Sequence, residues 1–351
     1  MDKQRFMTLL DRFSQIRIAI VGDIFLDRLL YVDRSLDELS VETGLTAYQV
    51  ARRSCVPGAA GVATNNLGSL RIGKCYGVAV TGDDGEAFDL RKGLRATGCD
   101  DSYMVAEDGR FTLTYTKVFF EGRDGSVEET NRIDLKPHSL TSPETEARVI
   151  ANLLELEDKV DAFICMEQIP NGDYGTLTDG VIDTLCAIAR RGKARVLADS
   201  RFNLNRFHNV IAKCNDNEIL RLVGIDAELD GEFDDTRASQ VEQAMRAYHE
   251  REGAPVFVSC GKAGFRVLEG GIMRSIPAYR VSGAVDTCGA GDSAMAGLGC
   301  ALCAGASYEE AALFGNLIAS IIVEQIGVTG TATRNQLEKR FDAYIRQNAN
   351  Q

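Results

Sequence analysis

Two rhythms of apolar and polar residues divide the chain. Near its start, Phe6, Leu9, Leu10 and Phe13 recur at helical spacing, which predicts an amphipathic helix over residues 3–13. The run Arg17-Ile18-Ala19-Ile20-Val21-Gly22-Asp23 is rich in β-branched residues and ends on glycine, the pattern of a buried parallel strand. Residues 45–50 and 111–120 follow another rule. In the latter, Phe111, Leu113, Tyr115 and Lys117 alternate with Thr112, Thr114, Thr116 and Val118. That period of two predicts half-exposed antiparallel strands. Glu121-Gly122-Arg123-Asp124-Gly125 reads as a hairpin turn leading into residues 127–133.

From about residue 142 the rhythm becomes helix, strand, helix, strand. Ser142-Pro143-Glu144-Thr145-Glu146 is a helix start with proline in its first turn. Residues 160–166 and 194–198 read as strands around a helix over 180–191, and residues 220–223, 256–258 and 265–267 add apolar elements. Such alternation predicts the α/β class, a three-layer α/β/α arrangement around a mostly parallel sheet. Neither a tandem repeat nor a long linker interrupts it. The expectation is one domain over residues 1–351, with a small β-sheet lid made from about 31–53 and 110–134. Ligands would then gather at the carboxyl ends of the strands.

Composition narrows the function. With 351 residues, 45% of them hydrophobic, the chain can bury a large core. A formal net charge of -12, with no basic run longer than Arg52-Arg53 or Arg190-Arg191, disfavours nucleic acid and acidic membranes as partners. No apolar run reaches the length of a membrane span, and residues 1–17 are too polar for a secretion signal. Ten cysteines are scattered, with Cys300 and Cys303 the only C-x-x-C pair and His138, His208 and His249 the only histidines. That pattern suits reduced thiols in a cytoplasmic protein better than a zinc site.

The most informative segment is Val285-Asp286-Thr287-Cys288-Gly289-Ala290-Gly291-Asp292, followed by a run of small residues. Gly289, Ala290 and Gly291 let backbone approach a ligand closely, and the free N–H groups of a helix start attract an anion. A carboxylate at Asp292 beside those amides could take the proton of an attacking hydroxyl while the amides stabilise a phosphoryl group. Two other readings fit the same residues. Gly289-x-Gly291-x-x-Ala294 matches a dinucleotide fingerprint, but only some 60 residues follow it, too few for a dinucleotide-binding fold. A plain glycine turn with Asp292 as helix cap is the other. No G-x-x-x-x-G-K-[ST] loop is present.

Asp286-Thr287-Cys288-Gly289-Ala290-Gly291-Asp292 closely resembles the D-T-x-G-A-G-D signature of the ribokinase-like (PfkB-type) carbohydrate kinases. Other segments match that family in order along nearly the whole chain. Val21 to Arg28 resembles its first strand, which puts Asp27 where a carboxylate holds sugar hydroxyls. Pro57-Gly58-Ala59-Ala60-Gly61-Val62-Ala63-Thr64-Asn65-Asn66 resembles its sugar-binding segment, and Asn215-Asp216-Asn217-Glu218 its N-x-x-E motif. Ser259-Cys260-Gly261-Lys262-Ala263-Gly264 is similar to the turn against the nucleotide phosphates, and Asn316 to the helix residue beside the adenine. Within the family the likeness is to the subgroup that phosphorylates C1 of a heptose 7-phosphate. It rests on Gly22 to Arg28, Ser40-Val41-Glu42, Arg132-Ile133-Asp134 and Leu197-Ala198-Asp199-Ser200-Arg201.

The resemblance implies an ATP- and Mg²⁺-dependent kinase that phosphorylates a hydroxyl of a sugar or sugar phosphate. Asp292 is then the general base, and the amides of Gly289, Ala290 and Gly291 stabilise the phosphoryl group. It assigns the acceptor to Asp27, Gly58, Ala59, Asn66, Lys117 and Arg132. The nucleotide falls to Asn215, Ser259, Gly261, Gly264, Cys288 and Asn316. Glu218 serves Mg²⁺ through water. Asp286 and the Cys288 carbonyl face a monovalent cation such as K⁺, with the loop over residues 327–331 nearby. A homodimer paired through the lid is a further implication. The chain departs from the pattern at Ala59, where a second glycine is usual, and at Val62, where an asparagine would bind sugar hydroxyls. Tyr115 and Lys117 stand where the subgroup has Lys and Arg. These departures leave open a nucleoside or vitamin kinase of the same fold, and a sensor without catalysis that binds nucleotide or sugar.

Overall fold

The computed structural model describes residues 1–122, 125–170, 172–225, 233–327 and 329–349. Its centre is a nine-stranded sheet. From one edge the order is Ile272–Ile276, Phe265–Glu269, Val256–Ser259, Ile211–Asn215, Arg195–Ser200, Ala162–Glu167, Arg17–Gly22, Lys74–Val78 and Cys99–Asp100. The pairs are parallel except for the two antiparallel steps that attach Phe265–Glu269 and Ile272–Ile276. Ala162–Glu167 is buried at every position, as a strand covered on both faces requires.

Helices cover both faces. Lys3–Arg12 turns Phe6, Leu9 and Leu10 inward, and the Phe6 ring stacks on Phe314 and Phe341 at 4.8 and 4.1 Å, joining the two ends of the chain. Pro143–Leu156 starts where its sequence signal lies, with the Ser142 side chain accepting the Thr145 N–H. Residues 180–191 fall in the helix Asp179–Arg191, closed by Gly192 at φ +67°. Residues 220–223, read as a separate apolar element, are instead mostly the end of the helix Asp216–Leu222.

The lid is a second sheet in the order Val127–Glu129, Thr114–Glu121, Ile24–Asp33, Val50–Ala59, with Ile133–Leu135 also paired to Thr114–Glu121. It differs from expectation in three ways. Ile24–Asp33 belongs to it, so the lid sheet takes in chain from residue 24 and its second strand runs on to Ala59. Residues 45–50 hold only the short Thr46–Ala47 and the first residue of Val50–Ala59. Thr114–Glu121 lies parallel, not antiparallel, to Ile24–Asp33, from Leu26/Thr114 to Asp33/Glu121. A period of two reports burial on one face and carries no information on direction. The expected hairpin pairs Glu121 with Val127, while Arg123 and Asp124 of its turn lie outside the described residues.

The junction between lid and body is tight. A Cβ on Gly58 would collide with the Asp27 carboxylate, so only glycine fits there. Ala59, next in line, heads the helix Ala60–Ser69 with φ +50° and ψ −121°, a conformation that costs an alanine about 1–3 kcal/mol. Ala59→Gly is therefore expected to stabilise the fold by about 1 kcal/mol in urea unfolding. A lower midpoint than that of the unsubstituted chain would show that the alanine is not strained.

Candidate active site

The carboxyl ends of the central strands face the start of the helix Ala290–Cys303. Gly289 caps that helix at φ +73°, a left-handed conformation suited to glycine. The turn is closely packed. A Cβ on Gly289 would lie 3.3 Å from Val62 Cγ1, and one on Gly291 would lie 3.1 Å from Lys213 Nζ. Ala290 donates its N–H to Thr287 O at 3.2 Å, so its amide serves the turn itself. Among the described residues, the amides of Gly291 and Asp292 have no protein acceptor and remain open to an anion.

Asp292, in the first turn of that helix, does not cap it. Gln168 Nε2 donates to its Oδ1 at 3.5 Å. Burial pushes the Asp292 carboxyl up to about 6, and the Asp199 charge adds to this, while Lys213 and Arg201 pull it back. A carboxylate titrating near 6 is ionised at neutral pH yet basic enough to accept a hydroxyl proton.

Beneath the helix start lies a buried ion pair that the motif reading missed. Lys213 Nζ donates to Asp199 Oδ2 at 2.6 Å, with both side chains less than a tenth exposed. A lysine inside Val210-Ile211-Ala212-Lys213-Cys214, an otherwise apolar strand, was the available signal. Asn215 and Glu218 cap the helix Asp216–Leu222 reciprocally. Asn215 Oδ1 accepts the Glu218 N–H at 2.8 Å, and Glu218 Oε2 accepts the Asn215 N–H at 2.7 Å. Burial, with Asp199 nearby, raises the Glu218 carboxyl to about 7 against the pull of Lys213.

On the lid side, burial raises Asp27 to about 6, countered by Lys117 and Arg132. Arg132 pairs with Asp134 at 2.6 Å and lies 4.0 Å over the Tyr115 ring, and Lys117 stands 3.5 Å from Glu129. Asp27 and Lys117 also act on Cys288 beside the glycine turn. The lid thus brings Asp27, Lys117 and Arg132 over the helix start. Leu113, Tyr115, Lys136, Gln168, Ile169 and Tyr174 line a cavity of about 140 Å³, and none of the expected acceptor residues is among its lining. The backbone of Gln168 is held by Asp23, whose Oδ2 accepts its N–H at 2.7 Å.

Other expected site residues have structural duties. Asn66 is fully buried, its amide donating to Val62 O and Ser293 Oγ and accepting from Ala332 N–H, so it joins two helices. Asn316 is also buried and donates to Ile276 O and Pro277 O, where it holds the chain after the last strand. Asp286 accepts from the N–H groups of Cys288 and Gly327, both at 3.0 Å, which order the loop and hold its carboxyl below the usual range. Val328, in the loop expected near the monovalent cation, lies outside the described residues. Ser259 Oγ donates to Cys214 O at 3.4 Å. Gly261 and Gly264 take φ +53° and +89°, and a Cβ on Gly264 would strike the Ile276 carbonyl.

A parallel sheet with a β lid above a glycine-rich helix start defines the ribokinase-like class of folds. The chain aligns over 95% of its length with all of phosphofructokinase-2 from Escherichia coli in its tetrameric inhibited form, at TM-score 0.70 and 16% identity. It aligns over 93% with 98% of Arabidopsis thaliana ribokinase complexed with ribose and ATP, at TM-score 0.64 and 18% identity. Residues 176–334 match the profile of the pfkB family carbohydrate kinases. Over those residues the chain is thus similar to the pfkB family carbohydrate kinases. It is 28% identical over 334 residues to the bifunctional protein HldE of Desulfatibacillum aliphaticivorans, covering 93% of this chain and 63% of that protein. The chain thus spans less than two thirds of the length of this curated relative.

The site's electrostatics carry over to stability. Asp23, Asp27 and Asp292 are raised to about 6, and Glu167 and Glu218 to about 7, in each case chiefly by burial. Their unfolded values are about 4, so the fold favours their protonated forms. That contribution is complete below about pH 4 and is lost as pH rises through 6 to 7. Asp100, lowered to about 2, and Asp286, also lowered, act oppositely and lose their contribution only in stronger acid. Unfolding free energy without nucleotide is expected to fall by at least ~3 kcal/mol between about pH 5.5 and pH 8. Urea midpoints at the two pH values measure this, and a midpoint rising with pH would mean that these carboxyls are ion-paired rather than desolvated.

Proposed function

We propose that this chain transfers the γ-phosphate of ATP to a hydroxyl of a sugar or sugar phosphate, with Asp292 as general base. The observation that carries the reading is the joint placement of the Asp292 carboxylate and the open Gly291 and Asp292 amides on one helix turn, facing Asp27 on the lid. The acceptor hydroxyl gives its proton to Asp292. Its oxygen bonds to the γ-phosphorus as the bond to the β-phosphate bridging oxygen breaks, and ADP leaves. Asp27 and the turn at Gly58 and Ala59 hold acceptor hydroxyls, and Lys117 and Arg132 close over them and exclude water. The nucleotide lies along Ser259, Gly261, Gly264 and Cys288, with Asn215 and Asn316 shaping its walls.

Glu218 fits Mg²⁺ bound through water. One of its oxygens is engaged by the Asn215 N–H, and Mg²⁺ commonly takes a single carboxylate with phosphate oxygens and water. When bound, the ion neutralises charge on the β- and γ-phosphates. The resemblance of Gly22 to Arg28 and Arg132-Ile133-Asp134 to the heptose 7-phosphate kinase subgroup favours a phosphorylated heptose among the acceptors to be tried. Exposed Leu39, Val41, Leu45 and Val127 on the lid support a homodimer paired there. Ten unpaired cysteines support a cytoplasmic setting.

ADP release from Mg-ATP, measured across sugars, sugar phosphates, nucleosides and vitamin alcohols, tests the reading. One acceptor class is expected to respond, with turnover lost by at least ~100-fold in Asp292→Asn while ATP is still bound. A response confined to nucleosides or vitamin alcohols would transfer the assignment to those acceptors. Silence across the panel with ATP bound would favour a sensor. Omitting K⁺ tests the cation expectation at Asp286.

The pH profile supplies a second prediction. Because the base must be ionised, kcat/KM is expected to fall below about pH 6, the value to which Asp292 is raised. An acid limb near pH 4 would place the base in water rather than in a buried site.

A further inference from the structure

The strand Ile211–Asn215 carries a lysine among buried apolar residues, and Lys213 is itself only 5% exposed. Burial by itself would lower the Lys213 ammonium, but the Asp199 carboxylate, joined by Glu218 and Asp292, outweighs it and keeps the group charged. A buried ion pair contributes little to stability compared with apolar residues of the same size. Its position suggests a chemical use. The Lys213 ammonium lies 3.1 Å from where a Cβ on Gly291 would stand. With glycine at 291, no side chain separates the ammonium from the open amides of the helix start.

Arg201 approaches from the other flank. It follows the strand Arg195–Ser200, and its carbonyl accepts from Arg221 Nη1 at 3.3 Å. Its exposed side chain lines a cavity of about 170 Å³ together with Glu218, Asn205 and Arg221. Among the described residues, Arg201 forms no ion pair. Its charge nevertheless reaches Asp292, Glu218 and Tyr115, which lie on the base, nucleotide and lid sides of the site.

We propose that Lys213 and Arg201 form a two-cation clamp on the transferring phosphoryl group, Lys213 from beneath the glycine turn and Arg201 from the solvent flank. The inference rests on the kinase reading above. As the acceptor oxygen bonds to the γ-phosphorus and the bridging bond to ADP breaks, negative charge spreads over the three non-bridging oxygens. Lys213, held by Asp199, meets that charge without moving, which is the arrangement that favours a transition state over a ground state. Asp199 is a positioning residue. Arg201 closes only when phosphate is present, because no carboxylate holds it beforehand.

The test uses the full chain with the acceptor identified by the panel. Lys213→Met is expected to lower kcat about 100- to 1,000-fold. Its acid limb moves upward by about one pH unit, because Lys213 no longer favours ionised Asp292. The double variant Lys213→Met, Asp199→Asn removes the carboxylate that directly pairs with Lys213 and is expected to keep the kcat loss. Recovery of kcat in the double variant would mean that stranded Asp199, and not the missing ammonium, caused the defect, and would overturn the role of Lys213. Arg201→Ala is expected to lower kcat/KM about 10- to 100-fold, with partial recovery in Arg201→Lys. An Arg201→Ala chain with unchanged kinetics would remove that arm of the clamp.

Calorimetry separates failure of the clamp from failure of the kinase reading. The unsubstituted chain is expected to bind a non-hydrolysable Mg-ATP analogue more tightly than Mg-ADP, and Lys213→Met to lose that preference while keeping Mg-ADP affinity within about twofold. If no acceptor is phosphorylated but the preference depends on Lys213, the anion clamp stands and the kinase reading falls. If turnover is found but neither kcat nor the preference responds to Lys213→Met, the clamp falls and the kinase reading stands.

Discussion

The approach of one glycine turn to its surroundings governs the site. Gly289 and Gly291 bring the start of the helix Ala290–Cys303 against Val62 on one side and the Lys213 ammonium on the other. A Cβ at either position would meet a neighbour at 3.1 to 3.3 Å, closer than ordinary van der Waals contact, so that neighbour would have to yield. The open amides, Asp292 and the buried Asp199–Lys213 pair share this location. Asn66 fastens the arrangement from behind, bonding both to Ser293 on the same helix and to Ala332 in the segment that follows.

Burial then sets the chemistry. Several carboxyls are kept out of water within a small volume, and Lys213 is the buried cation among Asp199, Glu218 and Asp292. The result is a site with excess latent negative charge, tolerable because burial shifts those carboxyls toward neutral pH. Such a site is suited to ligands that bring cations with them, as the proposed Mg-bound nucleotide would. The lid supplies mobile positive charge in Lys117 and Arg132, each engaged at the surface with a lid carboxylate and so able to exchange partners.

Local residue patterns revealed much of this. The buried strand at residues 17–22, the Ser142 helix start, the glycine turn and the Asp292 position were all legible, because each depends on neighbours within a few residues. The parallel pairing of Thr114–Glu121 with Ile24–Asp33 was not, although the other lid pairings are antiparallel as expected. The alternation at residues 111–120 describes one wet face and one dry face, whichever way the neighbouring strand runs. The hydrogen bonds of Asn66 were not legible for a related reason: its place in a motif put it near the site, but its partners come from residues 293 and 332, far along the chain.

The amino-acid sequence by itself determined the α/β class, the glycine turn and the place of Asp292 in the first turn of the helix that follows, since short-range sterics and helix-end electrostatics follow from adjacent residues. Tertiary structure alone decided that Ile24–Asp33 belongs to the lid and that Ala59 must adopt a positive φ. It also set Lys213 beneath Gly291 with Asp199 as its partner. Those outcomes depend on strands distant in sequence meeting in one register, and burial and charge act through space, where sequence separation has no influence.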